Sequence, residues 1–302
     1  RDGDLPLSSP QERLWFLQRM SPADPSYNLA GSFPVAGSFS LGSLAGGLGE
    51  LVRRHEILRT VFPERDGRAV QVVLPPRPFN LPLADLAALP DPVRSAEARR
   101  LARQEAVTVF DLAHGPLFRG LVLRLGAQEH LLLLTLHHIV ADGWSFGVFE
   151  RESTAATRPE LPIQYADYAV WQRRWMEGEG AEKLLAYWRQ KLAGVPPLLA
   201  LPLDIPRTAE RRPWGARGRL ALDRDTSQAL RRLARAESAT PFMVLLAVFE
   251  ILLLVETEQR DFVIGTDVAN RRPGTENLIG LFVNQIVLRS DLAGDPTFRE
   301  LL

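Results

Sequence analysis

Hydrophobic residues recur at helical spacing along several stretches of the chain. In residues 9–20, Leu14 and Leu17 lie on one side, and Pro10 suits the first turn of a helix. The same spacing predicts further helices over residues 41–57, 93–109, 165–178, 181–192, 226–238 and 241–256, and a short one after Ser145.

Shorter apolar runs, separated by polar turns, predict strands. Residues 117–125 and 130–136 flank a polar turn and predict a hairpin, whose second run is apolar on both faces, as in a buried strand. Residues 22–28 contain two prolines and an asparagine, which predicts a loop. Further strands are predicted at 60–63, 70–74, 218–222, 262–268 and 278–288. Both halves thus combine helices with strands, which predicts a two-layer α/β fold.

Composition limits the classes of protein to consider. The 302 residues are 46% hydrophobic and 24% charged, which is typical of a folded protein. The 36 basic and 36 acidic residues cancel, which argues against nucleic-acid binding as the main function. No apolar run reaches the roughly 18 residues of a membrane helix. The absence of cysteine excludes disulfides, cysteine metal sites and thiol catalysis.

Candidate chemistry is concentrated after the predicted buried strand, where His137 and His138 are followed by Asp142 and Gly143. Neighbouring residues on an extended chain point in opposite directions, so one histidine should face a cavity and the other the interior. Two histidines facing apart do not readily ligate one metal, and we predict no metal site. Asp142 either belongs to an ordinary Asp-Gly turn or orients the loop through a cationic partner.

The segment from His137 to Ser145 resembles the HHxxxDG core motif of condensation domains of nonribosomal peptide synthetases. Four other segments resemble further motifs of that family, and they occur in the family's order. They are residues 9–17, 54–62, 165–171 and 279–289. The family's last motif is missing, and residues 151–164 are shorter than usual.

The resemblance implies two subdomains similar to chloramphenicol acetyltransferase, arranged in a V around a central tunnel. The expected boundaries are residues 1–158, which carry the HHxxxDG loop, and residues 159–302, which form an incomplete second subdomain. The boundary lies in a small, polar stretch that contains proline. Family members join a donor acyl or peptidyl thioester to the α-amine of an acceptor aminoacyl thioester, and the motifs resemble the subtype that joins two L-residues.

The resemblance also implies partners and site residues. The domain needs no cofactor or metal of its own, because 4'-phosphopantetheine arms of donor and acceptor carrier domains bring the substrates. A neighbouring adenylation domain and a cytoplasmic location are expected, without nucleic acid or membrane. His138 is the implied catalytic residue, and His137 is structural. The remaining implied residues are Asp142 with its ion-pair partner Arg271 (Arg289 as second choice), Gly143 beside the substrate, and Asn284, Trp144 and Ser145 along the tunnel.

Several alternatives remain open at this stage. An epimerisation domain shares the two histidines, a free-standing acyltransferase would use a soluble thioester, and a non-catalytic relative would only recruit carriers or a partner enzyme. A cyclising domain replaces the histidines by aspartates, so His137 and His138 argue against it. Packing in the core is favoured over substrate contact for the tryptophans of the motifs and their neighbour, which are Trp15, Trp144, Trp171 and Trp175.

Overall fold

The computed structural model describes residues 4–37, 40–154, 160–205 and 218–302. Two compact units divide the chain. Unit 1 comprises Arg1–Ala181 together with Val268–Asn284, and unit 2 comprises Glu182–Asp267 and Gln285–Leu302. We call Val268–Asn284 the return segment, because it brings the chain back to unit 1. The boundary predicted between residues 158 and 159 lies at the edge of a stretch outside the described residues, and it stays a prediction.

The helices predicted from the apolar periodicity are present, with ends shifted by a few residues. The second ends at Arg54 and is followed by a 3-10 turn at Glu56–Arg59. The α-helices are α1 Ser9–Met20, α2 Leu41–Arg54, α3 Asp91–Val107, α4 Gly143–Thr154, α5 Tyr165–Met176, α6 Glu179–Lys191, α7 Arg224–Ala236, α8 Pro241–Thr257 and α9 Phe298–Leu301.

The strands occur mostly in unit 1, and several of them are only two residues long. They are β1 Asn28–Ala36, β2 Thr60–Val61, β3 Glu64–Arg65, β4 Arg68–Ala69, β5 Val72–Val73, β6 Leu83–Asp85, β7 Phe118–Arg124, β8 Glu129–His137, β9 Asp261–Val268 and β10 Asn284–Asp291.

A sheet in the order β1-β8-β7-β6 supports unit 1. Strands β7 and β8 form the predicted antiparallel hairpin, with Phe118 opposite Leu136. Strand β8 lies inside the sheet and is buried from Leu132 to its end, as its apolar sequence predicts. The main hydrophobic core packs around this sheet, and it includes Leu278 and Phe282 of the return segment. The end of β8 is therefore a fixed platform.

The structure differs from the sequence predictions at three strands. No strand was predicted over β1, which contains Pro34; because β1 is at the edge of the sheet, the missing N–H of proline is tolerated there. The strand predicted at 218–222 is wrong, and Leu220 in that stretch is 90% exposed. The strand predicted from residue 278 begins only at Asn284, because the residues before it bind the HHxxxDG loop.

Unit 2 consists of helices and the β9–β10 pair. Helix α8 is apolar at most positions, and one side of it, which includes Val244 and Leu253, is buried. Glu250 on that side accepts a hydrogen bond from Ser290 Oγ at 2.7 Å. Among the described helices, none alone has the length and hydrophobicity to cross a membrane; α7 and α8 meet the criterion only as a pair bent by 104°.

Candidate active site

The candidate site is the loop at the end of β8, residues 137–143, which we call the HHxxxDG loop. The main chain fixes its start, since the His137 amide donates to Leu117 O at 3.0 Å and the His138 amide donates to Tyr27 O at 2.8 Å. His137 is 1% exposed and its ring meets Phe110 edge-on at 6.0 Å, whereas His138 is partly exposed. The two rings thus occupy different environments, as the alternation of an extended chain predicts.

Hydrogen bonds give the two histidines opposite tautomers. His138 Nδ1 lies 2.7 Å from Ala141 O, and because a carbonyl only accepts, Nδ1 carries the proton. The neutral His138 ring therefore has its lone pair on Nε2. His137 Nδ1 accepts from the Ile139 amide at 3.1 Å, which places the His137 proton on Nε2. Burial, and then the neighbouring His138, lower the pKa of His137 to about 3, so His137 is neutral at physiological pH.

The Asp142 carboxylate holds the loop from beneath. It is 2% exposed, and its Oδ1 accepts from the Ser145 amide at 2.9 Å and lies 2.8 Å from Ser145 Oγ. Its Oδ2 accepts from the Phe282 and Val283 amides at 3.1 and 3.3 Å. Asp142 thereby caps the first turn of α4 and also binds the return segment. A buried carboxylate needs such donors, because an unpaired charge there is costly.

Arg271 supplies the opposite charge. Its Nη2 donates to Asp142 Oδ1 at 2.9 Å, and its Nη1 donates to Thr275 O and Leu278 O at 2.8 and 2.7 Å. The side chains of this pair are only 4% and 2% exposed. Burial lowers the pKa of Arg271, while the carboxylate beside it acts in the opposite direction. The structure therefore contains the ion pair that the resemblance implied. The second choice, Arg289, instead pairs with Asp261 at 2.6 Å in unit 2.

Polar side chains from the other motif segments hold the backbone around the loop, and sequence reasoning did not assign them to the site. Gln11 of α1 donates to Ile139 O at 3.2 Å. His55 Nδ1 lies 3.4 Å from the Ile279 amide, and Tyr165 Oη donates to Leu281 O at 2.6 Å. Their membership of the motif segments was the only signal available, because no spacing rule relates residues so distant in sequence.

The residues assigned to the substrate tunnel occupy contrasting positions. Ser145 is fully buried, and its Oγ accepts from the Asp142 and Gly280 amides at 3.1 and 3.2 Å, so it secures the loop. Trp144 is 47% exposed and donates to Glu276 O at 2.9 Å. Asn284 is partly buried at the start of β10. A side chain at Gly143 would meet no atom within 4 Å, so the backbone there faces open space.

The expectation that the tryptophans pack in the core is correct only for Trp15, which packs against the main core and donates to Phe62 O at 3.2 Å. Trp144, Trp171 and Trp175 are 47%, 44% and 37% exposed. The rings of Trp171 and Trp175 stack on each other instead, with centroids 6.4 Å apart, and Arg272 lies over Trp171. Stacking between residues one turn apart on α5 satisfies part of their apolar surface without full burial.

Comparison with known proteins identifies the family. A family model described as "Condensation domain" matches residues 1–302, and the chain belongs to this family. The chain is 47% identical over 313 residues to a linear gramicidin synthase of Brevibacillus parabrevis; the match covers 100% of the chain but only 6% of that relative. Condensation domains of nonribosomal peptide synthetases form amide bonds, so the chain is a member of an enzyme family.

A second relative comes from another antibiotic pathway. The chain is 45% identical over 312 residues to the phosphinothricin tripeptide synthetase PhsC of Streptomyces viridochromogenes, and the match covers 100% of the chain and 29% of that relative. The chain thus spans well under half the length of either relative.

Solved structures agree with this assignment and with the α/β fold. The complex of the X-domain and OxyB from teicoplanin biosynthesis has a TM-score of 0.87 and 30% identity, covering 100% of this chain and 68% of that one. A holo four-domain nonribosomal peptide synthetase bound to AMP and glycine has a TM-score of 0.88 and 26% identity, covering 99% of this chain and 23% of that one.

Proposed function

We propose that the chain transfers a carrier-bound acyl or peptidyl group from its thioester to the α-amine of a carrier-bound aminoacyl thioester, with His138 as the catalytic residue. The observation that supports this most directly is the fixed tautomer of His138. Its Nδ1–H bond to Ala141 O leaves the lone pair on Nε2, in a partly exposed ring, available to accept a proton.

The proposed step needs one proton acceptor. The amine nitrogen attacks the thioester carbon, a C–N bond forms, and the C–S bond breaks as the amine proton passes to His138 Nε2. The imidazolium then gives this proton to the departing sulfur, so the products are an amide and a free thiol. An α-amine has a pKa near about 8, so a useful fraction is already neutral at neutral pH. The base matters only once attack makes the nitrogen acidic.

We infer that orientation contributes more to the rate than the base does. General base catalysis is typically worth about 10²–10⁴-fold, whereas holding two reactants together reaches effective molarities of about 10⁵–10⁸ M. Asp142 and Arg271 serve this orientation by fixing the loop, and Gly143 lets the backbone approach the substrate. Asn284 and Trp144 are proposed to border the bound acyl groups.

The test is transfer between two loaded carriers, followed by intact-protein mass spectrometry. The mass of the donor group should move to the acceptor carrier, and His138→Ala should slow this transfer by about 10²–10⁴-fold. His114→Ala is the matched control, because His114 is exposed and pairs with Asp111 outside the loop. Complete loss of transfer in His138→Ala, with both carriers still bound normally, would contradict the ranking of orientation over base.

A second candidate is a domain that recruits a partner enzyme without catalysis. The similarity to an X-domain solved together with OxyB favours it. His138 and Gly143 are retained here, and relatives that have lost activity usually lack one of them. Binding of both carriers without any transfer would support recruitment, and a change confined to the stereochemistry of one carrier-bound residue would support epimerisation.

The wider setting is also a proposal. The relatives are multidomain synthetases, and this chain matches a small part of each. We infer that an adenylation domain lies in the same protein, that 4'-phosphopantetheine arms carry both substrates, and that the assembly works in the cytoplasm.

A further inference from the structure

Unit 1 contains a cavity of about 410 Å³ that no residue of the HHxxxDG loop lines. Its walls come from α2, the residues on either side of β2, the segment 74–82 and the start of β7. The volume falls in the range of roughly 300–1,000 Å³ found for small-molecule sites. One lining residue, Leu117, accepts the hydrogen bond of the His137 amide, so the cavity adjoins the strand that carries the candidate active site.

The walls of the cavity are mainly apolar and rigid. Val52 and Leu58 line one side, and Phe79 and Phe118 stack at 4.8 Å on another. Prolines at 75, 78, 82 and 116 add walls whose φ angles are fixed by their rings. A preformed apolar space of this kind binds a hydrocarbon group with little ordering cost.

The charged residues around this space are mostly cationic. Arg59, Arg77 and Arg119 line it, against the single acidic side chain of Glu105. Arg77 is exposed and makes no ion pair among the described residues. Arg119 lies over Phe110 at 3.8 Å, and its Nε is buried 3.6 Å from Glu105 Oε2, without a hydrogen bond in the described part of the chain. Such a donor is costly unless an acceptor reaches it.

We propose that this cavity binds a small amphiphilic anion, with an apolar body between the prolines and a carboxylate or phosphate head at Arg77 and Arg119. Arginine suits either head, because its planar donor fork matches both. The site is separate from the proposed transfer reaction, and its ligand is recognised by charge and hydrophobicity together.

The test is calorimetric titration of the chain with decanoate, decyl phosphate and decanol. The two anions should bind at least tenfold more tightly than decanol, and their ratio shows which head is preferred. Arg77→Glu should weaken binding of the better anion at least fivefold. Arg68→Glu is the matched control, since Arg68 is an exposed arginine on β4 that lines no part of the cavity; it should change binding less than twofold.

Three outcomes would overturn the proposal. They are decanol binding as tightly as the anions, no binding of either anion, and equal effects of Arg77→Glu and Arg68→Glu. The charge reversals lie at exposed positions, so folding is expected to be intact, and circular dichroism verifies this. Transfer between carriers by Arg77→Glu should be unchanged without ligand, which separates this site from the proposed reaction.

Discussion

A buried carboxylate such as Asp142 is tolerated only while donors surround it, and Arg271 is the one donor with a compensating charge among the described residues. Ser145 and two backbone amides supply the remaining hydrogen bonds. The carboxylate is therefore a junction between the HHxxxDG loop and the return segment, and its loss should affect stability as well as activity.

Arg271→Ala should lower the free energy of unfolding by about 3–5 kcal/mol, the usual cost of leaving a buried charge unpaired. The remaining donors to Asp142 favour the lower end of this range. Urea denaturation measures the change. Arg53→Ala removes an exposed pair with Glu50 and should leave the denaturation midpoint unchanged. Equal effects of the two variants would contradict the role assigned to the buried pair.

The low pKa of His137 predicts a pH dependence of stability. An unfolded histidine binds a proton below about pH 6.5, whereas burial keeps folded His137 neutral down to about pH 3. The unfolded state therefore binds more protons in this window, and stability falls as the pH drops from about 6.5 towards 3.

The variant His137→Asn isolates this contribution. Asparagine keeps an acceptor for the Ile139 amide but does not titrate, so stability should fall less steeply between pH 7 and 5. The difference in slope should approach one proton, or a little over 1 kcal/mol per pH unit. Denaturation curves at pH 7, 6 and 5 measure it. Parallel slopes would show that His137 titrates normally in the folded chain.

At the scale of elements, the return segment packs against α5 through one close approach. Gly280 lies directly on the ring of Tyr165, and a Cβ there would overlap the ring atoms Cδ2 and Cε2. Tyr165 is 1% exposed, donates to Leu281 O and lies 2.7 Å from Ser8 Oγ, so the ring has no room to move. Burial raises the pKa of this phenol, which keeps it a donor.

Gly280→Ala should consequently destabilise the chain by about 3 kcal/mol or more, at the upper end for overpacking. Gly143→Ala is the matched control: it adds a methyl group in open space and should change stability by less than about 0.5 kcal/mol. Thermal unfolding compares the two. If Gly143 approaches the substrate as proposed, this control should nevertheless slow carrier-to-carrier transfer. A stable Gly280→Ala variant would contradict the contact with Tyr165.

Sequence reasoning succeeded for elements whose apolar pattern is local. Helix α1 has the bounds predicted, because a capping box at Ser8 and Gln11 fixes its start. It failed where tertiary contacts decide: β1 is an edge strand despite Pro34, and residues 278–283 form no strand because their amides face Asp142. The paired histidines could be separated by alternation alone, whereas the contacts of Gln11, His55 and Tyr165 depend on the folded chain.

At the scale of the whole molecule, the α/β class follows from the alternation of predicted helices and strands, but the course of the chain does not. A division into two successive stretches was predicted. The compact units instead interleave, since Val268–Asn284 belongs with residues up to Ala181. Periodicity reports which face of an element is buried and says nothing about its distant partner, so such a return is invisible to it.

This interleaving restricts how such domains are exchanged by recombination. A crossover between Ala181 and Val268 joins the HHxxxDG loop of one parent to the return segment of another. The amides that bind Asp142 come with any backbone, but the Arg271 side chain and the space that Gly280 leaves for Tyr165 must match across the junction. Hybrids that inherit residues 137–284 from one parent keep these partners together.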